Sequence, residues 1–197
     1  MPKDGSTIYL GTADESGMMV SLIQSNYTGF GSGIVVPGTG IALQNRASGF
    51  VTTKGHPNEV GPNKRPFHTI IPAFITKEGK PWFCFGVMGG DMQAQGHVQI
   101  VTNLIDFGMN VQAAGDAPRA SHSGSATPTG LAAEGSGQVS VEEGVPEETV
   151  TALKNMGHQV QRASGGFGGY QGILIDWKNG VLHGASESRK DGAAVGY

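Results

Sequence analysis

The alternation of hydrophobic and polar positions along this chain predicts three pairs of β-strands. In each pair, two runs rich in β-branched and aromatic residues flank a short polar turn, which is typical of a hairpin. The paired runs are residues 7–14 with 18–25, 69–76 with 81–88, and 172–176 with 181–185. Strands are therefore expected at the beginning, in the middle and at the end of the chain.

A helical pattern follows the second pair of strands. Val98, Val101 and Ile105 recur at the spacing of one helix face and form a one-sided apolar stripe. Asp91 precedes them as a candidate N-cap or first-turn acid. Gly108 follows them as a candidate stop. The pattern predicts an amphipathic helix that begins near residue 91.

Two further segments have helical signals. Residues 111–116 form a short predicted helix ended by Pro118, and another helix is predicted to open at Pro146, where acids occupy the first turn. Residues 26–66 and 120–137 are rich in small and turn-forming residues and are expected to be loops. Strand pairs with helices between them predict an α+β layered domain.

Composition and charge narrow the class of protein. The chain has 197 residues, 38% of them hydrophobic and 33 of them glycine, which suits one domain or one half of a larger fold. With a net charge of -3 and scattered basic residues, neither nucleic acid nor an anionic membrane is an expected partner. No apolar stretch approaches the roughly 18–20 residues that span a bilayer. No hydrophobic leader opens the chain, so this chain alone favours a cytoplasmic location.

Thr7 is the first candidate for chemistry. A hydroxyl becomes a useful nucleophile when a base takes its proton, and the free α-amine of an N-terminal residue is one such base. That amine titrates near about 7.7–8. The mechanism requires cleavage of the peptide bond between Ser6 and Thr7. The alternative is that Thr7 is an ordinary β-former at the start of a strand.

Gly89 and Gly90 are the second candidate. They join a predicted strand to a helix N-terminus, where two backbone N–H groups can bind one oxyanion. The alternative is a tight strand-to-helix turn. His68 is a candidate base or a hydrogen-bonding pocket histidine. The histidines and the single cysteine, Cys84, lack metal-ligand spacing, so neither a metal nor a cofactor is expected; Cys84 is expected to be a small buried hydrophobe.

Four short motifs follow one another along the chain: Val20-Ser21, Phe30-Gly31-Ser32-Gly33, Gly86-Val87-Met88-Gly89-Gly90 and the ending at residues 184–197. In this order they resemble the small subunit of the gamma-glutamyltransferase family, which belongs to the N-terminal nucleophile hydrolases. The similarity runs from about residue 6 to residue 197.

The resemblance implies a fold, a site and a partner. The fold would be the small-subunit part of an αββα four-layer sandwich, with residues 1–6 a precursor remnant and 7–197 the catalytic small subunit. Thr7 would be the nucleophile, freed by cleavage after Ser6, and the Ser25 hydroxyl would support it. Gly89 and Gly90 would form the oxyanion site. A large subunit would complete the enzyme, which would transfer or hydrolyse gamma-glutamyl or related amides.

The chain departs from the family at the positions that would hold the substrate. Tyr27 replaces an Asn, Arg46 replaces an acid or amide, and Gly49 replaces an Asp that pairs with the glutamyl α-amine. His68 and Thr69 stand where the family has a substrate-binding pair of serines. Losing that Asp would remove a charge-assisted contact worth about 1.5–3 kcal/mol.

These departures leave the acyl group open. They resemble the branch that contains oxamate amidohydrolase, in which case Arg46 would pair with a substrate carboxylate; a solvated surface arginine is the alternative. Two other interpretations also stand: a catalytically inert partner or remnant subunit, and a generic ligand-binding α+β domain. An intact Ser6–Thr7 bond would indicate the inert subunit.

Overall fold

A computed structural model describes residues 5–124, 135 and 137–197 of the chain. The strands are β1 Gly5–Ala13, β2 Met19–Thr28, β3 Ala73–Lys77, β4 Lys80–Met88, β5 Ala120–Ser123, β6 Gln138–Val141, β7 Val160–Arg162, β8 Gly169–Asp176 and β9 Val181–Ser186. The helices are α1 Met92–Ile105, α2 Val111–Asp116 and α3 Glu147–Asn155, with a 3₁₀ turn at Arg46–Gly49. None of the described helices is long and apolar enough to cross a membrane.

The three predicted strand pairs are confirmed, and two of them merge. β1 and β2 form a separate antiparallel hairpin. The order β3-β4-β8-β9 builds one four-stranded antiparallel sheet, because β8, from the third pair, hydrogen-bonds to β4, from the second. This merger brings the end of the chain alongside its middle.

The hairpin, the four-stranded sheet and the helices form successive layers. Gly86 and Val87 are neighbours on β4 and therefore face opposite sides of the sheet. A Cβ atom at Gly86 would lie 2.3 Å from the ring of Tyr9, so the hairpin packs on that side. On the other side α1 approaches so closely that a Cβ at Gly96 would lie 2.6 Å from the Val87 side chain. The predicted α+β layering is confirmed.

The core lies between the four-stranded sheet and the helices. Phe83 and Phe85, two residues apart on β4, stack with ring centroids 4.6 Å apart. The buried members of this cluster are Phe83, Phe85, Val87, Ile100, Val111, Tyr170 and Ala185. Cys84 is fully buried between these two phenylalanines in sequence, as expected for a small hydrophobe.

The outer face of the hairpin is apolar and exposed. Because side chains alternate along a strand, Tyr9 points to the sheet and its neighbours point away from it. The outward residues Ile8, Leu10, Val20 and Leu22 are each between 47% and 63% exposed. In the described residues this face therefore has no covering layer.

The helix α1 forms where it was predicted, but only part of the predicted apolar stripe is on its buried face: Val101 packs against the core. Val98 and Ile105, from the predicted stripe, are 67% and 53% exposed. The contact face is centred on Gly96, because only a residue without a side chain lets the helix backbone approach Val87. Asp91 occupies the N-cap position without a capping hydrogen bond from its side chain.

The loop predicted for residues 120–137 is wrong at its beginning. Residues 120–123 form β5, which pairs with β6 in a three-stranded sheet, β5-β6-β7. The Gln99 side chain hydrogen-bonds to the backbone of β5: it accepts from Ala120 N and donates to Ala120 O, both at 2.8 Å. Residues 125–134 and 136 lie outside the described part of the chain.

Candidate active site

Thr7 and Ser25 form a hydrogen-bonded pair across the hairpin. They are register partners on β1 and β2, so their side chains share one face. Thr7 Oγ1 donates to Ser25 Oγ at 3.0 Å. Thr7 also shares its strand face with Tyr9, which packs against β4. The Thr7 hydroxyl therefore points to the space between the two sheets.

Gly89 and Gly90 connect β4 to α1 with a backbone that favours glycine. Gly89 has φ 138° and Gly90 has φ 58°. Their carbonyls accept from Met92 N and Gln93 N, both at 3.1 Å, and so are used in starting the helix. The positive end of the α1 dipole lies at this loop, which favours a negative charge nearby.

One cavity brings Thr7 and the glycine pair together. Its volume is about 1550 Å³, and its wall includes Thr7, Gly89 and Gly90. Tyr27 and Thr69 line the same cavity. The arrangement places a supported hydroxyl and a helix-start glycine pair around one space, which suits attack on a carbonyl followed by stabilisation of its oxyanion.

The structure separates the other predicted site residues from this wall. His68 is exposed and is not among the lining residues, whereas its neighbour Thr69 is buried and lines the cavity. Ser25 does not line this cavity, but its hydroxyl is hydrogen-bonded to Thr7, which does. Arg46 is not among the lining residues either; its guanidinium carbon lies 5.0 Å from the centre of the Tyr27 ring.

Three buried polar side chains have donor atoms that lack hydrogen-bond partners among the described residues, and one of them, Thr69, lines the cavity. Arg46 is 8% exposed, and none of its three guanidinium nitrogens has a hydrogen-bond partner among the described residues. Burial lowers the pKa of Arg46. The Thr69 hydroxyl and the Gln93 side-chain nitrogen are also buried without partners in the described part of the chain. All three can donate, so each could bind an acceptor such as a carboxylate.

Sequence reasoning missed two walls of the cavity. The first comprises Gly165, Gly166 and Gly168, and the second is the tail from Lys190 to Tyr197. The run of glycines at 165, 166, 168 and 169 was a usable signal, because closely spaced glycines mark a backbone that approaches other groups. Nothing local in the sequence places the tail beside Thr7.

A buried ion network attaches both missed walls to the fold. Arg119 donates to Phe167 O at 2.8 Å and pairs with Glu187 at 2.9 Å. Arg189 donates to both carboxylate oxygens of Glu142, at 2.6 and 2.5 Å, and also pairs with Glu187. Arg119 and Glu187 are fully enclosed. The network holds the glycine segment and the start of the tail in fixed positions.

No group of three His, Cys, Asp or Glu side chains in the described ranges could hold a metal ion.

Comparison with known proteins shows which class of protein has this fold. The chain is 49% identical to a cephalosporin acylase from Bacillus halodurans of known structure, with a TM-score of 0.83 over 96% of this chain and 34% of that one. Solved gamma-glutamyltranspeptidases share the fold. The fold is that of an N-terminal nucleophile hydrolase, so the hairpin, sheet and helix layers are part of its αββα sandwich.

The sequence model of the gamma-glutamyltranspeptidase family matches residues 1–197, and the chain belongs to that family. It is 38% identical to the glutathione hydrolase-like YwrD proenzyme of Bacillus subtilis over 99% of this chain and 36% of that protein. It is 35% identical to the oxamate amidohydrolase proenzyme of Klebsiella pneumoniae over 98% of this chain and 36% of that protein. The chain therefore spans about a third of the length of these curated relatives.

Proposed function

We propose that this chain is the catalytic small subunit of an amide-cleaving acyltransferase or hydrolase, with Thr7 as its N-terminal nucleophile. Residues 1–6 would be the remnant of a precursor, and residues 7–197 the subunit left by cleavage after Ser6. One observation carries the proposal: the Thr7 hydroxyl, bonded to Ser25 at 3.0 Å, lines the same cavity as Gly89 and Gly90.

The proposed reaction has two steps. Thr7 Oγ bonds to the substrate carbonyl carbon while the Thr7 α-amine takes the hydroxyl proton. The N–H groups of Gly89 and Gly90 stabilise the oxyanion. The C–N bond then breaks, the proton passes to the departing amine, and an ester on Thr7 remains. Water or a second amine attacks that ester, the Thr7 α-amine passes the attacking group's proton to Thr7 Oγ, and the acyl group leaves as an acid or a new amide.

Maturation uses the same hydroxyl. Before cleavage the Thr7 nitrogen is part of a peptide bond and cannot act as a base. The group that accepts a hydrogen bond from Thr7 Oγ1 in this state is the Ser25 hydroxyl. Attack of Thr7 Oγ on the Ser6 carbonyl would convert the peptide bond to an ester and release the α-amine. Hydrolysis of that ester would separate residue 6 from residue 7.

A large subunit is part of the proposal. The exposed apolar face of the hairpin would be covered by it, since leaving these four side chains in water forgoes roughly 1.5–3 kcal/mol for each one that could be fully buried. The curated relatives are described as proenzymes and are about three times as long as this chain. The substrate would enter between the two subunits.

A gamma-glutamyl amide is the first candidate substrate, and a small carboxylated amide such as oxamate is the second. The buried guanidinium of Arg46, without a hydrogen-bond partner among the described residues, favours the second candidate because its positive charge would attract a carboxylate. Arg46 contacts the Tyr27 ring rather than the cavity, so it would act on the carboxylate with that ring in place. His68 and Thr69 remain candidate substrate-binding residues.

The test is intact-mass measurement and activity of the chain co-expressed with a candidate large subunit. We expect loss of residues 1–6, followed by release of amine from gamma-glutamyl anilide or ammonia from oxamate. Thr7→Ala should abolish both cleavage and turnover, and Thr7→Ser should retain part of both. Retention of residues 1–6 in a well-folded complex would indicate an inert partner subunit instead. Activity that survives Thr7→Ala would indicate a different site.

A further inference from the structure

Tyr27 has a backbone conformation that its side chain disfavours. Among the described residues other than glycine, three have a positive φ: Tyr27 at 79°, Asn63 at 54° and Glu78 at 53°. Asn63 and Glu78 lie in exposed turns, where this conformation is common. Tyr27 lies inside β2 and lines the cavity of the candidate active site. A bulky residue held in the left-handed region points to a functional constraint.

The cause is a β-bulge opposite the proposed cleavage site. Gly5 pairs with Thr28 and Thr7 pairs with Ser25, so Ser6 alone on β1 faces two residues, Asn26 and Tyr27, on β2. The extra residue releases one amide from the ladder. That amide, Tyr27 N–H, donates to Ser25 Oγ at 2.9 Å.

Ser25 Oγ is therefore held from two sides. Tyr27 N and Thr7 Oγ1 both donate to it, at 2.9 and 3.0 Å. With two acceptor positions on a hydroxyl oxygen, both are occupied. The direction of the Thr7 hydroxyl then depends on where the Tyr27 backbone places the Ser25 oxygen.

The segment of residues 44–46 holds the bulge in place. Asn45 Oδ1 accepts from Thr28 N at 3.2 Å, and Asn45 N donates to Asn26 O at 3.2 Å. The Arg46 guanidinium lies over the Tyr27 ring at 5.0 Å. Its nitrogens have no hydrogen-bond partner in the described part of the chain, so the ring face is the favourable contact that it makes there.

We propose that Tyr27 is a positioning residue for the nucleophile, and that Arg46 acts on Thr7 through it. The left-handed backbone of Tyr27 directs its amide to Ser25, and Ser25 orients the Thr7 hydroxyl. The Arg46 guanidinium holds the Tyr27 ring in its position. This inference rests on the proposed role of Thr7. Both the cleavage after Ser6 and the later amide chemistry depend on the same arrangement.

Substitutions that separate backbone shape from side chain test the proposal in the co-expressed enzyme. Tyr27→Asn keeps a residue that accepts the left-handed conformation, whereas Tyr27→Val introduces a β-branched residue that resists it. We expect Tyr27→Val to lower kcat by about 100-fold with little change in KM, since a shift of the nucleophile by about 1 Å has an effect of that size. Tyr27→Asn should stay within about 10-fold of the wild type. Cleavage after Ser6, monitored by intact-mass measurement, should be slower in Tyr27→Val than in Tyr27→Asn.

Asn63→Val is the matched control, because it introduces the same backbone conflict in an exposed turn away from the cavity. It should lower the unfolding midpoint without changing kcat. If Tyr27→Val does not fold, Arg46→Met gives the second test: it should lower kcat by about 10-fold in the wild type and have no further effect on Tyr27→Asn.

Equal kcat for Tyr27→Val and Tyr27→Asn would overturn the proposal, as would full additivity of Arg46→Met with Tyr27→Asn. A change confined to KM would instead assign Tyr27 to substrate contact and would also overturn it. These results are distinguishable from failure of the proposed function, in which the wild-type protein neither cleaves after Ser6 nor turns over an amide.

Discussion

Gly168 Cα lies 2.8 Å from the position that a Cβ atom on Gly89 would occupy. The two segments that meet here come from the middle and the end of the chain, one leaving β4 and the other entering β8. Phe167, next to Gly168, is held by Arg119. The position of the proposed oxyanion site thus depends on a segment far away in sequence, and that segment depends on the buried ion network.

Gly89→Ala should therefore displace the loop that carries the proposed oxyanion donors. The added methyl meets backbone atoms, which cannot rotate away, and φ 138° is strained for alanine. We expect kcat to fall by about 10²–10³, the usual cost of losing an oxyanion donor. Gly90→Ala is the comparison, since its Cβ would enter open space and only φ 58° opposes it. A larger loss of kcat in Gly90→Ala than in Gly89→Ala would contradict this account.

Ser25→Ala should remove the group that the Thr7 hydroxyl contacts. Thr7 Oγ1 and Tyr27 N would both lose their acceptor, so the nucleophile would be less well oriented. A loss of roughly 10²-fold in kcat is expected from misplacement alone, with KM nearly unchanged, as measured by steady-state kinetics. Ser140→Ala, on β6 and away from the cavity, serves as the control. Wild-type kcat in Ser25→Ala would rule out a supporting role for this hydroxyl.

Arg119→Met should destabilise the fold strongly. It leaves the enclosed Glu187 without one of its two cations and Phe167 O without its donor. Removing one partner of a buried ion pair costs about 3–5 kcal/mol, which would appear as a lower urea midpoint. Arg162→Met is the contrast, since its ion pair with Glu147 is partly exposed and should contribute about 0–1 kcal/mol. This variant also removes the donor to the carbonyl oxygens of Glu142, Glu143 and Val145, so it should cost more than the ion pair alone but less than Arg119→Met. Similar midpoints for the two variants would contradict this prediction.

His97 should make the fold less stable as the pH falls. Its Nε2 accepts from Val87 N at 3.0 Å, which requires the neutral ring, and burial lowers the pKa of His97 from 6.5 to about 4. Between these pH values the unfolded chain binds a proton that the folded chain does not. Stability is therefore fully present above about pH 6.5 and declines towards pH 4, by up to about 3 kcal/mol.

Urea unfolding at pH 7.5 and pH 4.5 measures this effect. His97→Gln should be less stable than the wild type at pH 7.5. Its free energy of unfolding should differ much less between pH 7.5 and pH 4.5 than that of the wild type. His158→Gln, at an exposed position, should keep the wild-type pH dependence. An unchanged pH dependence in His97→Gln would show that another group is responsible.

Local signals were enough for the hairpin, whereas Ser25 was named only from the resemblance to the gamma-glutamyltransferase family. The polar turn between the first two apolar runs fixes the register of β1 and β2, and the register places Thr7 opposite Ser25. The glycines at 89 and 90 were found because a strand ends and a helix begins around them. Each of these depends on residues close together in the chain.

Long-range packing explains what the sequence could not predict. The pairing of β8 with β4 and the ion pairs of Arg119 and Arg189 join segments tens of residues apart. The buried face of α1 was predicted only in part: Val101 packs against the core, but the close approach at Gly96 leaves Val98 and Ile105 exposed. The bulge at Tyr27 leaves no pattern in the sequence, since it depends on the register of both strands.

Thr7 is an interior residue of β1, with Gly5 paired to Thr28 on its amino-terminal side. If the bond after Ser6 is cut as proposed, β1 loses its first two residues and Thr28 loses its partner. The new amino group would then lie at a strand end opposite Ser25, in the wall of the cavity. A segment that closes the hairpin in the precursor would become an opening in the mature protein.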